Sequence, residues 1–166
     1  SVEQLLAFIY ERLAGSLREQ GYTAQEIDAV LSLNLQNLSD IPKRLAAVRA
    51  FTALPEAVSL AAANKRVGNI LKKTADVISA QVDVSLLQES AEQTLHQALV
   101  DMLPITDKAF AAGDYTASLQ TLAALKSPID TFFDHVMVNA EDESLRKNRL
   151  ALLAQLHQVM NRVADI

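Results

Sequence analysis

Cysteine and tryptophan are absent from the 166-residue sequence, and glycine and proline occur only four times each. Without cysteine, neither a disulfide framework nor a thiolate metal site can form. The scarcity of glycine and proline excludes a linker-rich or disordered chain, while the 50% apolar content suffices for a sizeable core. The composition therefore predicts a globular chain, and the lack of cysteine fits a cytoplasmic location.

Long apolar runs are also missing. No stretch reaches the ~18 apolar residues of a bilayer-spanning helix, so we expect no membrane partner. The first residues, SVEQLLAFIYERL, carry Glu3 and Glu11 within their apolar stretch, which excludes a secretory signal. Because the sequence begins without Met and ends inside an apolar periodic segment, we expect a fragment of a longer chain. We expect residues 1–166 to form one domain, with a hinge between halves placed best near residues 80–85.

Strand patterns are absent, and the apolar periodicity is helical nearly everywhere. Capping-box spacing marks helix starts at Thr23, Ser85, Ser127 and, more weakly, Asn139. Gly21 and Gly113 stand where helices should stop, and Pro104 should kink or split a helix. We therefore predict an all-α fold, an antiparallel helical bundle of about seven or eight helices. The expected helices span residues 2–20, 23–33, 40–53, 55–80, 85–112, 114–125, 127–138 and 140–165.

No catalytic centre can be found in the sequence. Glu92 and His96 lie one helical turn apart, as metal ligands can, but the second Glu-x-x-His of a di-metal bundle site is missing. Gly-rich phosphate loops and nucleophile motifs are also missing. Glu141, Asp142 and Glu143 are explained by the positive dipole end of the last helix. We expect a non-catalytic segment with no metal and no cofactor of its own, and a metal-dependent bundle enzyme is a distant alternative.

Charge is distributed unevenly along this acidic chain. The net charge is −5, yet residues 43–73 hold seven cations and a single acid, Glu56. That window is therefore +6 and the remainder of the chain −11. Such asymmetry indicates a polyanionic partner. The cations of the window are Lys43, Arg44, Arg49, Lys65, Arg66, Lys72 and Lys73.

The segment ANKRVGNILKK, residues 63–73, concentrates this charge on one helix. Its apolar stripe is Val67, Ile70 and Leu71, extended by Val77, and should anchor the helix to the bundle. Gly68 is costly inside a helix and indicates the close approach of another backbone or of a nucleotide. The residues predicted to face outward toward RNA are Asn64, Lys65, Arg66, Asn69, Lys72 and Lys73. On charge alone, an RNA-binding face and a merely solvated helix face are equally good interpretations.

A second basic cluster, LRKNR, follows the acids of the last helix. Asp142 and Arg146 have the i,i+4 spacing of a helix ion pair. Such a pair accounts for Arg146. It leaves Lys147, Asn148 and Arg149 freer to contact a ligand. Asn148 and Arg149 are therefore secondary candidates for RNA contact.

The sequence resembles a known family at several separated motifs. The stretch from Ser127 to Ile166 resembles the C-terminal end of bacterial glycyl-tRNA synthetase β subunits. Its Asp-x-x-Leu-Arg-x-x-Arg-Leu-x-Leu-Leu core, residues 142–153, is also similar to the helical anticodon-binding domain of arginyl-tRNA synthetases. LAAANKRVGNIL and FIYERL match further segments of the β subunit, so the resemblance covers residues 6–166. The final VADI stops a few residues before the last helix of the family does.

The resemblance implies a non-catalytic anticodon-binding domain within an enzyme that attaches glycine to tRNA. ATP and Mg would act at the α-subunit site, and the implied partners are the anticodon stem-loop of tRNA(Gly), the α subunit and the rest of the β subunit. Glycine tRNAs share two anticodon cytosines, whose edges suit Asn and Arg side chains. The alternative is a helical protein-interaction or structural bundle whose basic face docks an acidic partner.

Overall fold

The computed structural model describes residues 1–33, 37–79 and 81–166. Within these residues the chain forms eight α-helices and three short 3-10 helices, without any strand. The α-helices are α1 (Val2–Glu19), α2 (Ala24–Leu31), α3 (Ile41–Thr52), α4 (Ala57–Lys73), α5 (Ser90–Ala111), α6 (Tyr115–Gln120), α7 (Lys126–His135) and α8 (Glu143–Met160). The 3-10 helices are Leu38–Asp40, Val84–Leu86 and Thr121–Leu125. The predicted all-α bundle is confirmed.

The helix boundary signals at the start of the chain act as predicted. The Thr23 hydroxyl accepts from the backbone N–H of Glu26 at 3.1 Å, and the Glu26 carboxylate accepts from the N–H of Thr23 at 2.9 Å. Gly21 has φ +97° and Gly113 has φ +75°, a conformation that glycine adopts without steric cost. These two glycines end α1 and α5, so the predicted stops are confirmed.

The end predicted for the fourth helix, and the start predicted for the fifth, are wrong. α4 ends at Lys73, and Val77 is 88% exposed rather than part of an apolar stripe. The predicted end at Ala80 lies outside the described residues, as does the first residue of the predicted hinge near 80–85. α5 begins at Ser90, not Ser85, and the N–H of Glu89 donates to the Glu92 carboxylate.

Two later starts also differ from the prediction. α7 begins at Lys126 because the 3-10 helix before it runs directly into it, so Ser127 is not its cap. α8 begins at Glu143 with Asp142, not Asn139, accepting from the N–H of Leu145. Pro104 lies inside α5, which continues through it as one α-helix.

The core forms around α8, which has the largest number of buried residues of any described helix. Leu152, Leu153 and Leu156 are fully buried, and so are Leu150 and Met160. α4 packs along α8, while α5 contacts α6, α7 and α8, and α3 packs between α2 and α6. α1 is peripheral, since only Leu17 of its residues is buried. Because α8 is covered on nearly every side, two of its polar residues, Asn148 and Arg149, are buried as well.

Among the described residues, no single helix is long and apolar enough to cross a membrane. Residues 38–52 and 57–73 satisfy the length and composition criteria only as a pair, which is bent by 112°.

Candidate nucleic-acid interface

The outer surface of α4 presents the predicted cations to solvent. Lys65, Asn69, Lys72 and Lys73 are exposed, whereas Val67 on the opposite side is fully buried. None of these three lysines forms an ion pair within the described residues. The predicted arrangement of one cationic and one apolar side is thus confirmed. We call the surface formed by these residues the basic face; its members are Lys65, Arg66, Asn69, Lys72 and Lys73.

Contacts with α8 and with Asn161, the residue that follows it, hold α4 in this orientation. The side-chain amides of Asn64 and Asn161 exchange two hydrogen bonds, at 2.7 and 2.8 Å. A Cβ atom at Gly68 would lie 3.4 Å from Nε2 of His157. The prediction for Asn64 is therefore corrected: this residue is buried in the contact between the helices and does not face a ligand. The close neighbour of Gly68 is a histidine of α8.

Arg66 connects the basic face to an aromatic ring that is distant in the sequence. Its guanidinium carbon lies 4.0 Å from the centroid of the Phe133 ring, in cation–π geometry. Phe133 in turn meets Phe132 edge to face, with centroids 5.4 Å apart. Phe132 is fully buried, and Phe133 is partly buried and packs against the same core. Arg66 as a whole is exposed, and it lies at the edge of the basic face.

A cleft of about 500 Å³ opens beside this stacked pair. It lies between the end of α4, the segment after α7 and the start of α8, and we call it the Phe133 cleft. Its apolar lining consists of Ile70, Phe133, Val136, Met137, Val138 and Leu150, and its polar lining of Arg66, Lys73, Thr74, Asn139 and Arg146. A shallower depression of about 400 Å³ continues along α4 past Lys65 and Asn69. The basic face and the Phe133 cleft therefore form one continuous surface.

Arg146 holds two walls of the Phe133 cleft together. Its Nε donates to the carboxylate of Asp76 at 2.7 Å, and its Nη1 donates to the carbonyl oxygens of Ala140 and Glu141. The hydrogen bond from Arg146 lowers the pKa of Asp76, and the same bond raises the pKa of Arg146. The predicted i,i+4 pair with Asp142 is wrong, because the guanidinium is directed at Asp76 while Asp142 caps α8.

Asn148 and Arg149 are the largest departure from the predicted site. Both are 5% exposed. Asn148 accepts from the backbone N–H of Asp83 at 2.7 Å and donates to its carbonyl at 2.9 Å. Arg149 donates to the fully buried carboxylate of Glu92 at 2.9 Å and to the carbonyl of Met137 at 2.7 Å. The prediction that these two side chains reach RNA is corrected, because both are buried and their polar groups bond to other parts of the chain.

Arg44 is likewise buried, at 6% exposure. Its Nη1 donates to the carbonyl oxygens of Arg162 and Val163, both at 2.9 Å. Its guanidinium also lies over the ring of Tyr115, 4.7 Å from the centroid. Arg44 therefore caps the chain beyond α8, and its prediction as an RNA contact is corrected.

Lys43 and Arg49 are exposed but lie in other surroundings than the basic face. Lys43 lies beside Gly113, because a Cβ atom added to that glycine would be 3.4 Å from the Nζ of Lys43. Gly113 follows the C-terminus of α5, where the helix dipole is negative. Arg49 donates to both carboxylate oxygens of Glu26 at 2.9 Å and covers the ring of Tyr22 at 4.6 Å. The structure thus does not group these two cations of α3 with those of α4.

Possible metal ligands do not cluster in the described residues. No three His, Asp or Glu side chains there are arranged to hold a metal ion. Glu92, considered above as a ligand with His96, has its carboxylate engaged by Arg149.

Sequence reasoning missed Phe133, Asn139 and Arg146 as members of the surface. Asn139 was interpreted as a weak helix cap and Arg146 as half of a local ion pair, and Phe133 lies outside both basic clusters. One signal in the sequence could have identified Phe133. Adjacent residues of a helix face different directions, so when Phe132 is buried, Phe133 must point toward the edge of the core. Nothing in the sequence indicates that Phe133 meets a residue of α4.

Comparison with known proteins adds independent information. The profile of the DALR anticodon binding domain matches residues 60–166. The chain is 67% identical to the glycine–tRNA ligase beta subunit of Dechloromonas aromatica over 162 residues, which cover 98% of this chain and 23% of that protein. It is 67% identical to that of Methylobacillus flagellatus over 159 residues, 96% of this chain and 22% of that protein. It is 65% identical to that of Delftia acidovorans over 163 residues, 98% and 23% of the two chains. The chain thus spans less than a quarter of the length of these relatives.

Proposed function

Since the chain belongs to the DALR anticodon-binding domain family, we propose that it holds the anticodon stem-loop of tRNA(Gly) as part of a glycine–tRNA ligase β subunit. Aminoacylation, with its ATP and Mg, takes place on the α subunit outside this chain, and the complex works in the cytoplasm. The single observation that carries the binding proposal is the basic face of α4, which is exposed beside a cleft with an aromatic wall.

The chemistry of the basic face suits a folded RNA loop. Lys65, Lys72 and Lys73 supply three flexible cations along α4, and ammonium groups bind phosphates as point charges. Arg66 offers a planar guanidinium, whose carbon lies over the Phe133 ring, and such a group can stack on a base. Neutralising phosphates releases counterions, so an acidic chain can still bind RNA through one local patch. Sequence-specific RNA recognition mostly targets single-stranded loops, and an anticodon is such a loop.

The experiment is a titration of the complete ligase, α and β subunits together, with a synthetic glycine anticodon stem-loop. The dissociation constant is expected to rise steeply with salt. The logarithm of the association constant should fall against log salt with a slope of about −2 if the three lysines of α4 contact phosphates. A stem-loop with both anticodon cytosines replaced is the matched control and should bind less tightly. Equal affinity for the two loops without salt dependence would exclude the proposal. A basic face that instead docks an acidic protein predicts that its variants lose subunit association and keep RNA affinity.

A further inference from the structure

The Phe133 cleft has a lining that the general proposal of RNA binding does not explain. Phosphate binding needs exposed cations, which the lysines of α4 already supply. It does not need an apolar floor or an arginine placed over an aromatic ring. Ile70 and Leu150 form part of that floor, and Met137, 69% exposed, stands at its edge. Apolar pockets with a few convergent polar groups are typical of sites for small flat ligands.

The polar groups of the cleft are placed at its rim. Lys73 and Arg66 border it on the side of α4, and the exposed amide of Asn139 borders it on the side of α7. An amide both donates and accepts hydrogen bonds, which matches the edge of a nucleobase. The combination of an apolar floor, a stacking group, an amide and adjacent cations corresponds to one unstacked nucleotide, with its base inside and its phosphates on the basic face.

The walls of the cleft are fixed before any ligand arrives. Arg146 joins Asp76, beyond α4, to the carbonyls of Ala140 and Glu141 before α8. Arg149 holds the carbonyl of Met137 at 2.7 Å. Preorganised walls reduce the ordering cost of binding, which favours a ligand site over an incidental gap between helices.

We propose, resting on the proposed function above, that the Phe133 cleft receives one unpaired base of the anticodon loop, stacked on the guanidinium of Arg66 that Phe133 supports. The base lies in three layers with Arg66 and Phe133, and Asn139 faces its polar edge. Arg66 here is a stacking contact more than a phosphate contact. Phe133 is a positioning residue, because it acts through the arginine that lies over its ring.

The test uses the substitution Arg66→Lys in the complete ligase, which keeps the charge and removes the planar group. Phe133→Leu removes the ring beneath it and keeps an apolar side chain. Each variant is expected to bind the glycine anticodon stem-loop about tenfold less tightly, the size of one base-stacking contact. The matched control is Arg49→Lys, which changes an arginine that also covers an aromatic ring, Tyr22, outside the cleft. This control should bind as the wild type does.

Stem-loops with an abasic nucleotide at each anticodon position locate the base. The tenfold loss in Arg66→Lys should vanish with the one loop that lacks the stacked base and persist with the others. If Arg66→Lys binds as tightly as wild type, or its loss persists with every abasic loop, the base site is overturned while RNA binding stands. If the wild-type ligase fails to bind the intact stem-loop, the proposed function itself falls, and the base site falls with it.

Discussion

Residues 65–73 and residues 146–149 are both rich in Lys and Arg, yet the first segment presents its cations to solvent and the second turns two of its polar residues inward. Lys65, Lys72 and Lys73 are exposed on α4, whereas Asn148 and Arg149 are almost fully buried on α8. The first set makes no ion pair within the described residues. Arg149 of the second is paired with a carboxylate at 0% exposure.

The difference comes from how many sides of each helix are covered. α4 lies at the edge of the bundle, with four of its 17 residues buried, so most of its surface is available to charge. α8 lies in the middle, with nine of 18 residues buried. A polar side chain on a central helix must find partners inside, because a buried unpaired charge is very costly. The same residue types therefore face solvent in one place and hold the fold together in the other.

The largest effect that this comparison predicts follows from Arg149→Met. The substitution leaves the Glu92 carboxylate buried without its partner, so we expect the free energy of unfolding to fall by about 3–5 kcal/mol. Denaturant unfolding monitored by circular dichroism measures the change. The double variant Glu92→Leu/Arg149→Met is the control, and it should recover much of the loss because no unpaired charge remains. A double variant no more stable than the single one would contradict this explanation.

Asn148→Ala should have an intermediate effect. It removes two hydrogen bonds to the backbone of Asp83. Water can replace them in part because Asp83 is exposed, so we expect a loss of about 1–2 kcal/mol. Amide hydrogen exchange should accelerate locally in the segment around residues 81–86. If Asn148 contacted RNA instead, affinity for the stem-loop would fall and the exchange rates would stay unchanged.

On the other side of the comparison, Lys65→Glu/Lys72→Glu should change binding and leave folding intact. Both side chains are exposed, so stability should stay within about 0.5 kcal/mol of the wild type. Affinity for the anticodon stem-loop should fall about ten- to a hundredfold at low salt, because phosphate attraction becomes repulsion. Arg18→Glu/Lys108→Glu has the same change in net charge on exposed residues of α1 and α5. An equal loss in this control would mean that total charge, and not the basic face, determines binding.

Local features of the fold were predictable from the sequence to the extent that they depend on neighbouring residues. The Thr23–Glu26 capping box, the stop at Gly21 and the two-sided pattern of α4 are set within a few positions. The end of α4 was misplaced because Val77 continues an apolar period into a segment that forms no helix. Val77 shows that a periodic pattern alone does not establish burial.

The candidate site was less predictable because its decisive contacts join distant parts of the chain. Arg44 reaches residues 162 and 163, and Arg149 reaches Glu92. Charge counting gave all cations of residues 43–73 the same weight, although only those on α4 share a surface. The contact of Arg66 with Phe133 also depends on the packing of α4 beside α7. A single sequence contains no direct information on such distant pairs.

The smallest predicted change in stability concerns the ion pair between Arg49 and Glu26. This pair lies at the surface, whereas the pair between Arg149 and Glu92 is buried. Hydrogen bonds from Arg49 lower the pKa of Glu26 from 4.5 to about 2. Because the folded pKa lies below the unfolded one, the pair stabilises the fold fully above pH 4.5 and loses this contribution as the pH falls toward 2. Glu26→Gln should therefore be less stable than wild type at pH 7, and the difference in the free energy of unfolding should shrink between pH 4.5 and pH 2. Glu11→Gln, exposed on α1, controls for the loss of one carboxylate. A difference that stays constant over this range would show that Glu26 acts through its capping geometry alone and that its charge contributes nothing.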